Sequence, residues 1–408
     1  MHIALCTISI DYQKFMLEFR FVNVDEIISL LPNQLIDELA VEFGVNKYAK
    51  KLQGQLLLKL LIHCILTHKE NSLRSMESAY ESIAFGLLNS QKAKGKIRYS
   101  SISERISTMN YMYFEKIFYK CVEIYGSKIG EASTAVTRFD STIIATSGKL
   151  LKVGYHLKGD SSHLRQLKYT IGLSDIPFSA DVYSEQIYTS ENAALKESIL
   201  MHTPLKENAI RVFDRGITSR ATYDKFTDRK TPFVTRGIIN SKHDVLTKNA
   251  LSKRIYTDTL IITSDIWINL YSVNSKPTKH PIRCIKAIQK TTKEIIWFYT
   301  NIPDLNADEI ANIYRKRWDI ETFFKFIKQE LNVSHLINRS ENGVRVVLYS
   351  TLIAAILLLV YKKTNGLSGF KIVKQRFLQE LEKELVRHFV IMTGGDATIY
   401  DSIVNNTS

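Results

Sequence analysis

The 408-residue sequence has few of the residues that mark specialised classes of protein. Its 4 cysteines, Cys6, Cys64, Cys121 and Cys284, are too sparse for a disulfide scaffold, and no two have the CxxC spacing of a zinc-binding pair. With 7 prolines and 17 glycines there is no collagen-like or low-complexity character. The sequence therefore predicts a globular protein with reduced thiols, as expected in the cytoplasm.

Long hydrophobic runs are also scarce. Residues 1–10 lack a basic region and are followed by Asp11, which is not typical of a signal peptide. The longest uncharged apolar run, residues 346–361, is shorter than the about 20 residues needed to cross a bilayer. We expect this run to form a buried core helix, with a membrane-associated protein as the alternative.

Zinc-binding histidine patterns are missing too. The 10 histidines contain no HxxH or HExxH spacing, so the sequence predicts no zinc site, and His156 and His163 are expected to be incidental. What the chain does have is positive charge. Its 55 Lys and Arg against 41 Asp and Glu give a formal net charge of +14. This balance favours a polyanionic partner, either nucleic acid or an anionic membrane surface.

Hydrophobic periodicity divides the chain into regions. Residues 1–132 are predicted to be a helical N-terminal domain, because apolar residues recur at helical spacing from about residue 24 to 130. Residues 133–236 alternate between strands and helices. The strands are predicted at 135–144, 151–157, 164–173, 178–183, 209–214 and 232–235, and the helices at 191–200 and 218–228.

The second half of the chain changes pattern twice. Residues 237–303 are predicted to be a β-rich insertion, with strands at 256–263, 266–273, 282–288 and 295–300. Residues 304–364 return to helices, the first of them one long helix that begins at a capping box of Asn306 and Glu309 and ends near Leu331. Residues 365–408 contain an amphipathic helix at 369–391, which could pack on its own chain or dimerise.

Three carboxylates stand out by their positions. Asp140 lies within a predicted strand, and Asp214 ends a short apolar strand, where α/β folds tend to place functional groups. Glu321 lies on the predicted long helix. Each of the three, taken alone, is more simply explained as a solvated or salt-bridged side chain.

The long helix carries a mixed stripe. At about 100° per residue, one sector of about 80° contains Tyr314, Arg317, Glu321, Lys325 and Lys328, beside the apolar face. An ordinary ion pair between Arg317 and Glu321 would explain two of these residues. A carboxylate among cations at the edge of a core is also suited to a metal-bound phosphate site.

The spacing Tyr314-x2-Arg317-x3-Glu321-x6-Lys328 resembles the Y-R-E-K signature of bacterial insertion-sequence transposases, specifically the IS-four-type group of DDE transposases. The segments at residues 139–142 and 213–216 resemble the first-aspartate and second-aspartate strands of that family. The order of the acids, with a β-rich insertion before the glutamate, is also that of the family. The resemblance covers about residues 134–361.

The resemblance implies an α/β fold with an RNase H-like catalytic core. It implies that Asp140, Asp214 and Glu321 are catalytic and hold two divalent cations, usually Mg²⁺, for which Mn²⁺ could substitute. Such cations support in-line displacement at phosphorus without a covalent protein nucleophile. DNA cleavage at the ends of an element and strand transfer into target DNA are the implied reactions.

The resemblance also suggests DNA contacts. It implies that Arg317 and Lys328 contact phosphates and that Tyr314 touches the DNA backbone, with Lys325 on the same stripe. In relatives an aromatic residue in or near the insertion stacks on a flipped base. Trp297 is the candidate here, with a strand-core tryptophan as the alternative, and Trp318 is expected to pack on DNA or on the insertion.

The implied partners are double-stranded DNA, namely the element's terminal inverted repeats and the target, and a second copy of the chain in a homodimeric synapse. The helical N-terminal domain is expected to recognise the repeats. A further DNA-backbone surface is predicted where basic residues cluster, with a solvated sheet edge as the alternative: Lys149, Lys152, Lys158, Arg165 and Lys168.

Two other functions stay open at this point. The same core could belong to a metal-dependent nuclease that performs no strand transfer. It could also belong to a DNA-binding regulator that derives from a transposase and has lost catalysis, although all three acids are present.

Overall fold

The computed structural model describes residues 24–89, 95–129, 136–147, 154–155, 164–202, 209–249, 254–272, 276–333 and 337–406. The chain forms two compact units. The helical unit consists of Met1–Gly130 and Phe326–Ser408, and the sheet unit is Glu131–Lys325. The N-terminal helical region and the C-terminal helices, which the sequence pattern treats as separate regions, therefore share one unit.

The helical unit contains only helices among its described residues. In chain order they are α1 Val24–Ser29, α2 Asn33–Glu42, α3 Gly54–Thr67, α4 Leu73–Tyr80, α5 Ile83–Leu88, α6 Tyr99–Thr108, α7 Tyr111–Lys128, α12 Glu341–Thr364, α13 Phe370–Met392 and α14 Ala397–Asn406. This confirms the predicted helical character over the described residues 24–89 and 95–129.

The centre of the helical unit is the apolar helix α12. It is long and apolar enough to cross a membrane, but 89% of its most apolar window is buried inside the protein. Its hydroxyl groups are satisfied internally, since Ser350 and Thr351 donate to the carbonyls of Val346 and Val347 at 2.8 and 2.9 Å. A helix that is apolar all round is typical of a core, so the core-helix interpretation is confirmed.

Helix α13 packs on its own chain through one face. Val373, Phe377 and Leu381 are buried, and the ring of Phe377 meets the ring of Tyr361 on α12 edge to face at 5.4 Å. Phe370 stacks on Phe326 at 4.3 Å. These contacts occupy most of the apolar face that the sequence offered for dimerisation.

Among its described residues, the sheet unit contains ten strands. They are β1 Val136–Ser147, β2 Leu164–Leu173, β3 Pro177–Tyr183, β4 Ile210–Phe213, β5 Phe233–Arg236, β6 His243–Lys248, β7 Ile255–Tyr256, β8 Leu260–Leu270, β9 Ile282–Gln289 and β10 Ile295–Thr300. The helices of this unit are α8 Glu191–His202, α9 Arg220–Asp228, α10 Ala307–Arg315 and α11 Trp318–Gln329, the last of which continues past Lys325 into the helical unit.

All ten strands belong to one sheet. Its order is β3-β2-β1-β4-β5-β10-β9-β8-β6, with β7 paired to β8. Strand β1 is antiparallel to β2 and parallel to β4, and β4 is parallel to β5. The remaining pairs are antiparallel. The protein is therefore a mixed α/β protein with a large central sheet.

The β-rich insertion is part of this sheet. Strand β10 pairs with β5, so the strands of residues 237–303 extend the core sheet at its β5 edge. The two strands predicted at 256–263 and 266–273 are instead the short β7 and one continuous strand, β8. A register shift between Ile262 and Ser264 marks a bulge in β8, which disturbs the alternation from which two strands were inferred.

Helices cover both faces of the sheet. On one face, α10 packs through Ile310 and Ala311 against a cluster that includes Val212, Val234 and Phe298. On the opposite face, Phe226 of α9 meets Phe213 of β4 at 5.7 Å, and Ser198 of α8 donates to Asp181 of β3 at 2.5 Å. The sheet is thus a buried middle layer, as parallel strands require.

A buried ion pair fixes the chain that leads into α10. Arg283 of β9 and Asp265 of β8 form an ion pair at 2.7 Å, with side chains only 5% and 4% exposed. Arg283 also donates to the carbonyls of Ile302, Pro303 and Leu305 at 3.1, 3.0 and 2.7 Å. The capping box that the sequence predicts at Asn306 and Glu309 follows directly and is confirmed.

Asp265→Ala should destabilise the protein by about 3 to 5 kcal/mol, because it leaves the buried guanidinium of Arg283 without its counter-ion. Chemical denaturation followed by circular dichroism measures the effect. The matched control is Asp258→Ala, an exposed aspartate in the β7–β8 turn of the same sheet. Equal stability of the two variants would contradict the importance of the pair.

Candidate active site

Asp140 lies in the middle of β1, the strand at which parallel and antiparallel pairing meet. Its neighbour Phe139 is fully buried on the opposite face. Asp140 is half-buried, and one carboxylate oxygen accepts the backbone N–H of Ser141 at 2.7 Å. The strand therefore fixes the aspartate at the edge of the core with its oxygens partly accessible.

Asp214 directly follows β4 and has the same local arrangement. One carboxylate oxygen accepts the N–H of the next residue, Arg215, at 2.6 Å. The buried hydroxyl of Thr235 on β5 donates to the carbonyls of Phe213 and Asp214 at 3.0 and 3.2 Å. This fixes the end of β4, and with it the position of Asp214.

The strand register places these two acids side by side. Phe139 of β1 is the partner of Phe213 of β4 in a parallel pair, so Asp140 and Asp214 follow at equivalent positions. Neighbouring strands lie about 4.8 Å apart, and alternation points both aspartates to the face opposite the two phenylalanines. That face is also the one on which α10 packs, because Val212 and Asp214 lie two residues apart.

The helix that carries Glu321 is broken, which corrects the single long helix predicted from Asn306 to Leu331. Helix α10 ends at Arg315 and α11 begins at Trp318. At the break, Lys316 and Arg317 donate to the carbonyls three residues earlier, at 3.1 and 2.9 Å. The tightened turn redirects the chain, so the angles of an ideal helix do not apply across it.

Arg138 explains the break, and sequence reasoning missed it. It lies two residues before Asp140, on the same face of β1. Its guanidinium donates to the carbonyl of Lys316 at 3.1 Å and to the carboxylate of Asp319 at 2.7 Å. It also donates to the carbonyl of Ser174 at 2.9 Å. The only sequence signal was a cation in a predicted strand, two residues before the first aspartate.

Glu321 is held by Arg317. The two form an ion pair at 2.6 Å, with side chains 38% and 9% exposed respectively. The guanidinium also lies 5.8 Å from the ring centre of Tyr314 and 5.5 Å from that of Trp318. The ordinary ion pair that the spacing suggested is therefore present, but it is half-buried and enclosed by aromatic rings.

The charges at this point act on one another. Burial tends to lower the pKa of Arg317, but Tyr314, Glu321 and Asp214 outweigh it and raise the pKa above its usual value. Burial raises the pKa of Tyr314 to about 12, opposed by the charge of Arg317 and reinforced by Asp214. Arg317 therefore stays charged and Tyr314 neutral near pH 7. The charge of Asp214 raises the pKa of both groups.

Arg317 retains one unused donor. Its Nε atom is buried and has no hydrogen-bond partner among the residues that the structure describes. A buried donor without a partner is costly and calls for an explanation. Because this atom is inaccessible to solvent, an oxygen from outside the protein would reach it only after the side chain moved.

The acids suit a hard divalent cation in chemistry, since carboxylate oxygens are the ligands that Mg²⁺ and Mn²⁺ prefer. Asp140 and Asp214 are adjacent through the strand register. Within the described part of the chain, however, no three His, Cys, Asp or Glu side chains are gathered closely enough to hold a metal ion. Glu321 is engaged by Arg317 instead.

Trp318 and the remaining residues of the predicted stripe, Lys325 and Lys328, lie on α11. Trp318 is 61% exposed, as expected for a side chain off the apolar face. Lys325 is exposed and Lys328 is half-buried. Ile320 and Ile327 on the apolar face are buried, as the helical spacing predicts.

Trp297 has the environment of a core residue. It is only 5% exposed, in the middle of β10. The ammonium of Lys286 lies 4.2 Å from its ring centre, and His243 meets the ring edge to face at 5.5 Å. This matches the strand-core alternative, and we leave Trp297 out of the DNA contacts proposed for this protein.

The basic cluster predicted near the second and third strands is corrected at Lys168. This residue is 1% exposed, and its ammonium donates to the carbonyl of Thr189 at 3.0 Å, so it offers no surface to DNA. Arg165 is half-buried. Lys149, Lys152 and Lys158 lie outside the described residues.

Sequence comparison places this part of the chain in a family. The family model described as "Transposase DDE domain" matches residues 133–357, more than half of the chain. The match includes Asp140, Asp214 and Glu321, and it begins before β1 and ends within α12.

Individual relatives agree with the family. A protein of Sinorhizobium fredii, y4zB, is 26% identical over 40% of this chain and 46% of its own length. One from Synechocystis sp., for insertion sequence element IS4SA, is 25% identical over 64% of this chain and 70% of its own. One from Geobacillus stearothermophilus, for element IS5377, is 28% identical over 42% and 46%. Their names describe candidate transposases, and the chain spans about half the length of two of them.

Arg138→Met should loosen the turn before α11, because the carbonyl of Lys316 loses one of its two donors and the carboxylate of Asp319 loses its guanidinium partner. We expect the local opening free energy at residues 316–321 to fall by about 1 to 3 kcal/mol. Hydrogen exchange of peptides that cover the turn measures this, with Arg229→Met, at an exposed arginine, as the control. Unchanged protection in Arg138→Met would contradict the anchoring role.

Proposed function

Since this chain belongs to the transposase DDE domain family, we propose that it moves an insertion sequence, by cutting DNA at the element's ends and joining the freed ends to target DNA. The observation that carries the proposal is the register that sets Asp140 beside Asp214, together with Arg317, which lies within electrostatic reach of Asp214 and pairs with Glu321. The site thus brings acids and a buried cation to one face of the sheet.

We assign the sheet unit an RNase H-like core of the IS-four-type group. Two observations support this. The first five strands have the order β3-β2-β1-β4-β5, antiparallel up to β1 and parallel from β1 to β5. Asp140 lies on β1, Asp214 directly follows the adjacent parallel strand β4, and Glu321 lies on a helix that follows the inserted strands. The Y-R-E-K spacing supports the subgroup.

Asp140, Asp214 and Glu321 would hold two divalent cations, Mg²⁺ with Mn²⁺ as a substitute. When bound, such cations activate the attacking hydroxyl and stabilise the leaving oxygen of an in-line displacement. Glu321 would join the set through its second oxygen, Oε2, or by exchanging Arg317 for a cation, since the guanidinium contacts Oε1. The positive charge of Arg317 meanwhile reduces the repulsion between carboxylates this close together.

The same exchange frees Arg317 for DNA. Its guanidinium is nearly buried, stays charged, and already has one donor without a partner. A guanidinium binds phosphate oxygens in a bidentate manner, so we assign Arg317 to a phosphate next to the cleaved bond. Tyr314, whose phenol stays neutral, would donate a hydrogen bond to the DNA backbone.

The exposed part of α11 extends this DNA contact. We assign Trp318 a packing contact with DNA, because its ring is exposed directly beside Arg317. Lys325 and Lys328 would contact backbone phosphates. The full substrate would be the terminal inverted repeats and a target duplex, with two copies of the chain pairing two ends in the cytoplasm.

The site favours an active enzyme over a regulator that has lost catalysis, because all three acids and the cations around them are in place. A nuclease that uses the same core without strand transfer is the second candidate. It shares every residue of the site, so only the reaction products separate the two.

Asp140→Asn, Asp214→Asn and Glu321→Gln should each abolish Mg²⁺-dependent cleavage of a duplex that carries the element's end, because an amide replaces a charged metal ligand with little change in shape. Gel-shift assays should show that DNA binding persists. Asp304→Asn, at an exposed aspartate before α10, is the matched control and should cleave normally. Full cleavage by any one of the three site variants would remove that residue from the proposal.

Strand transfer has its own test. Wild-type protein mixed with pre-cut ends that carry a 3′-hydroxyl should join them to a circular target in Mg²⁺, and EDTA should stop the reaction. Joined products resolved by electrophoresis establish transposition chemistry. Cleavage of uncut ends without any joining would favour the nuclease.

A further inference from the structure

We propose that the helical unit carries a separate surface for the DNA backbone, built from two segments, residues 46–51 and 95–99. This basic patch contains the cations Lys47, Lys50, Lys51, Lys96 and Arg98 and the tyrosines Tyr48 and Tyr99. This inference rests on the proposed function, because the duplex that the patch would bind is the element's end. The chemistry of the patch is independent of the acids in the sheet unit.

The two segments are distant in sequence but touch in the structure. The ammonium of Lys51 donates to the carbonyl of Lys96 at 2.9 Å. Tyr99 is reached from the other side by Arg74 of α4, whose guanidinium lies 5.6 Å from the ring centre. The patch is therefore one continuous surface that no single stretch of sequence reveals.

The charged residues of the patch all have positive side chains. Its 11 residues contain five cations and no acid, whereas the average composition of the chain would give one or two cations and one acid. One acid contacts the patch from outside, since Glu77 of α4 accepts the backbone N–H of Tyr99 at 2.9 Å. All five cations are exposed, and none forms an ion pair with another residue that the structure describes. A solvated surface normally mixes both signs, so this pattern indicates an anionic partner.

The patch is held firmly in place. Arg105 of α6 donates to the carbonyls of Val45 and Leu52, at 2.7 and 3.0 Å, and so fixes both ends of the first segment. The second segment is anchored by the buried side chain of Ile97, between two exposed cations. A surface ordered before binding loses less conformational entropy when it binds a partner.

Tyr48 is the unusual residue of the patch. Its backbone adopts φ 66°, a left-handed conformation that bulky residues rarely take, and its ring is 90% exposed. The ammonium of Lys47 lies 5.4 Å from the ring centre. A tyrosine hydroxyl between lysines can donate to a phosphate oxygen, which supplies a reason to hold the ring in solvent.

Duplex DNA suits this surface better than a membrane. Membrane-surface segments combine basic residues with large apolar side chains that enter the lipid. The patch exposes no large aliphatic side chain, and its only exposed large side chains besides the cations are Tyr48 and Tyr99. Phosphate contacts along a duplex need only cations and hydroxyl donors.

The test is a triple variant, Lys47→Ala with Lys50→Ala and Arg98→Ala, which spares Lys51 because that side chain joins the two segments. The control is Lys371→Ala with Arg376→Ala and Lys383→Ala, three exposed cations on α13 of the same unit. Binding of the full chain to a fluorescent duplex with the element's terminal sequence is measured from about 50 to 200 mM salt.

We expect the triple variant to bind about tenfold or more weakly, with a salt slope lower by about 2 to 3, because about 0.9 counterions are released per phosphate contact. The control should keep the wild-type affinity and slope. A triple variant with wild-type affinity and slope would overturn the proposal. So would a triple variant that loses only its binding to phosphatidylserine vesicles, which would assign the patch to a membrane.

The outcome is separable from that of the proposed function. Glu321→Gln should bind the duplex with the wild-type salt slope and fail to cleave it. If the wild-type protein binds through the patch but never cleaves, the patch stands and the transposase proposal fails. If the wild-type protein cleaves and the triple variant binds unchanged, the transposase proposal stands and the patch fails.

Discussion

The parallel pairing of β1 with β4 is the constraint on which the rest of the sheet unit depends. Because Phe139 pairs with Phe213, two aspartates that are 74 residues apart in sequence occupy neighbouring positions on one face. Two parallel strands must be joined by a crossover connection. The connection from β1 to β4 includes α8, which packs on the face of the sheet opposite the acids. The acid-bearing face is then left to α10 and α11. Placing two carboxylates this close costs electrostatic free energy, and nearby cations, from the protein or from solution, offset it.

Two arginines organise this face in different ways. Arg138 donates hydrogen bonds to backbone carbonyls and to the carboxylate of Asp319, so it acts as a fixed anchor for the turn before α11. Arg317 pairs with Glu321 and lies near Asp214, and its Nε–H has no hydrogen-bond partner among the described residues. Its hydrogen-bond partners can therefore change. The anchor fixes where Glu321 lies, and the second arginine is the residue that we propose exchanges an acid for a phosphate. Neither role can be read from the residue type alone.

Local sequence pattern predicted most elements well. Strands β1–β5, β9 and β10 agree with their predictions to within three residues, because alternating and β-branched runs report local burial. The long helix was wrong at its centre, because Arg138, 178 residues away, takes the carbonyl of Lys316. Lys168 was assigned to a surface, yet the sheet buries it. In both cases a distant contact overrode a local pattern.

By itself, the sequence determined the alternation of helices and strands, the net positive charge, the three acids and the spacing of Tyr314, Arg317 and Glu321. These depend on residue type and on separation along the chain. Only the tertiary structure decided that the inserted strands extend the core sheet, that Trp297 is buried, and that residues 46–51 meet residues 95–99. Such outcomes depend on strand order and packing between distant segments, which no local pattern encodes.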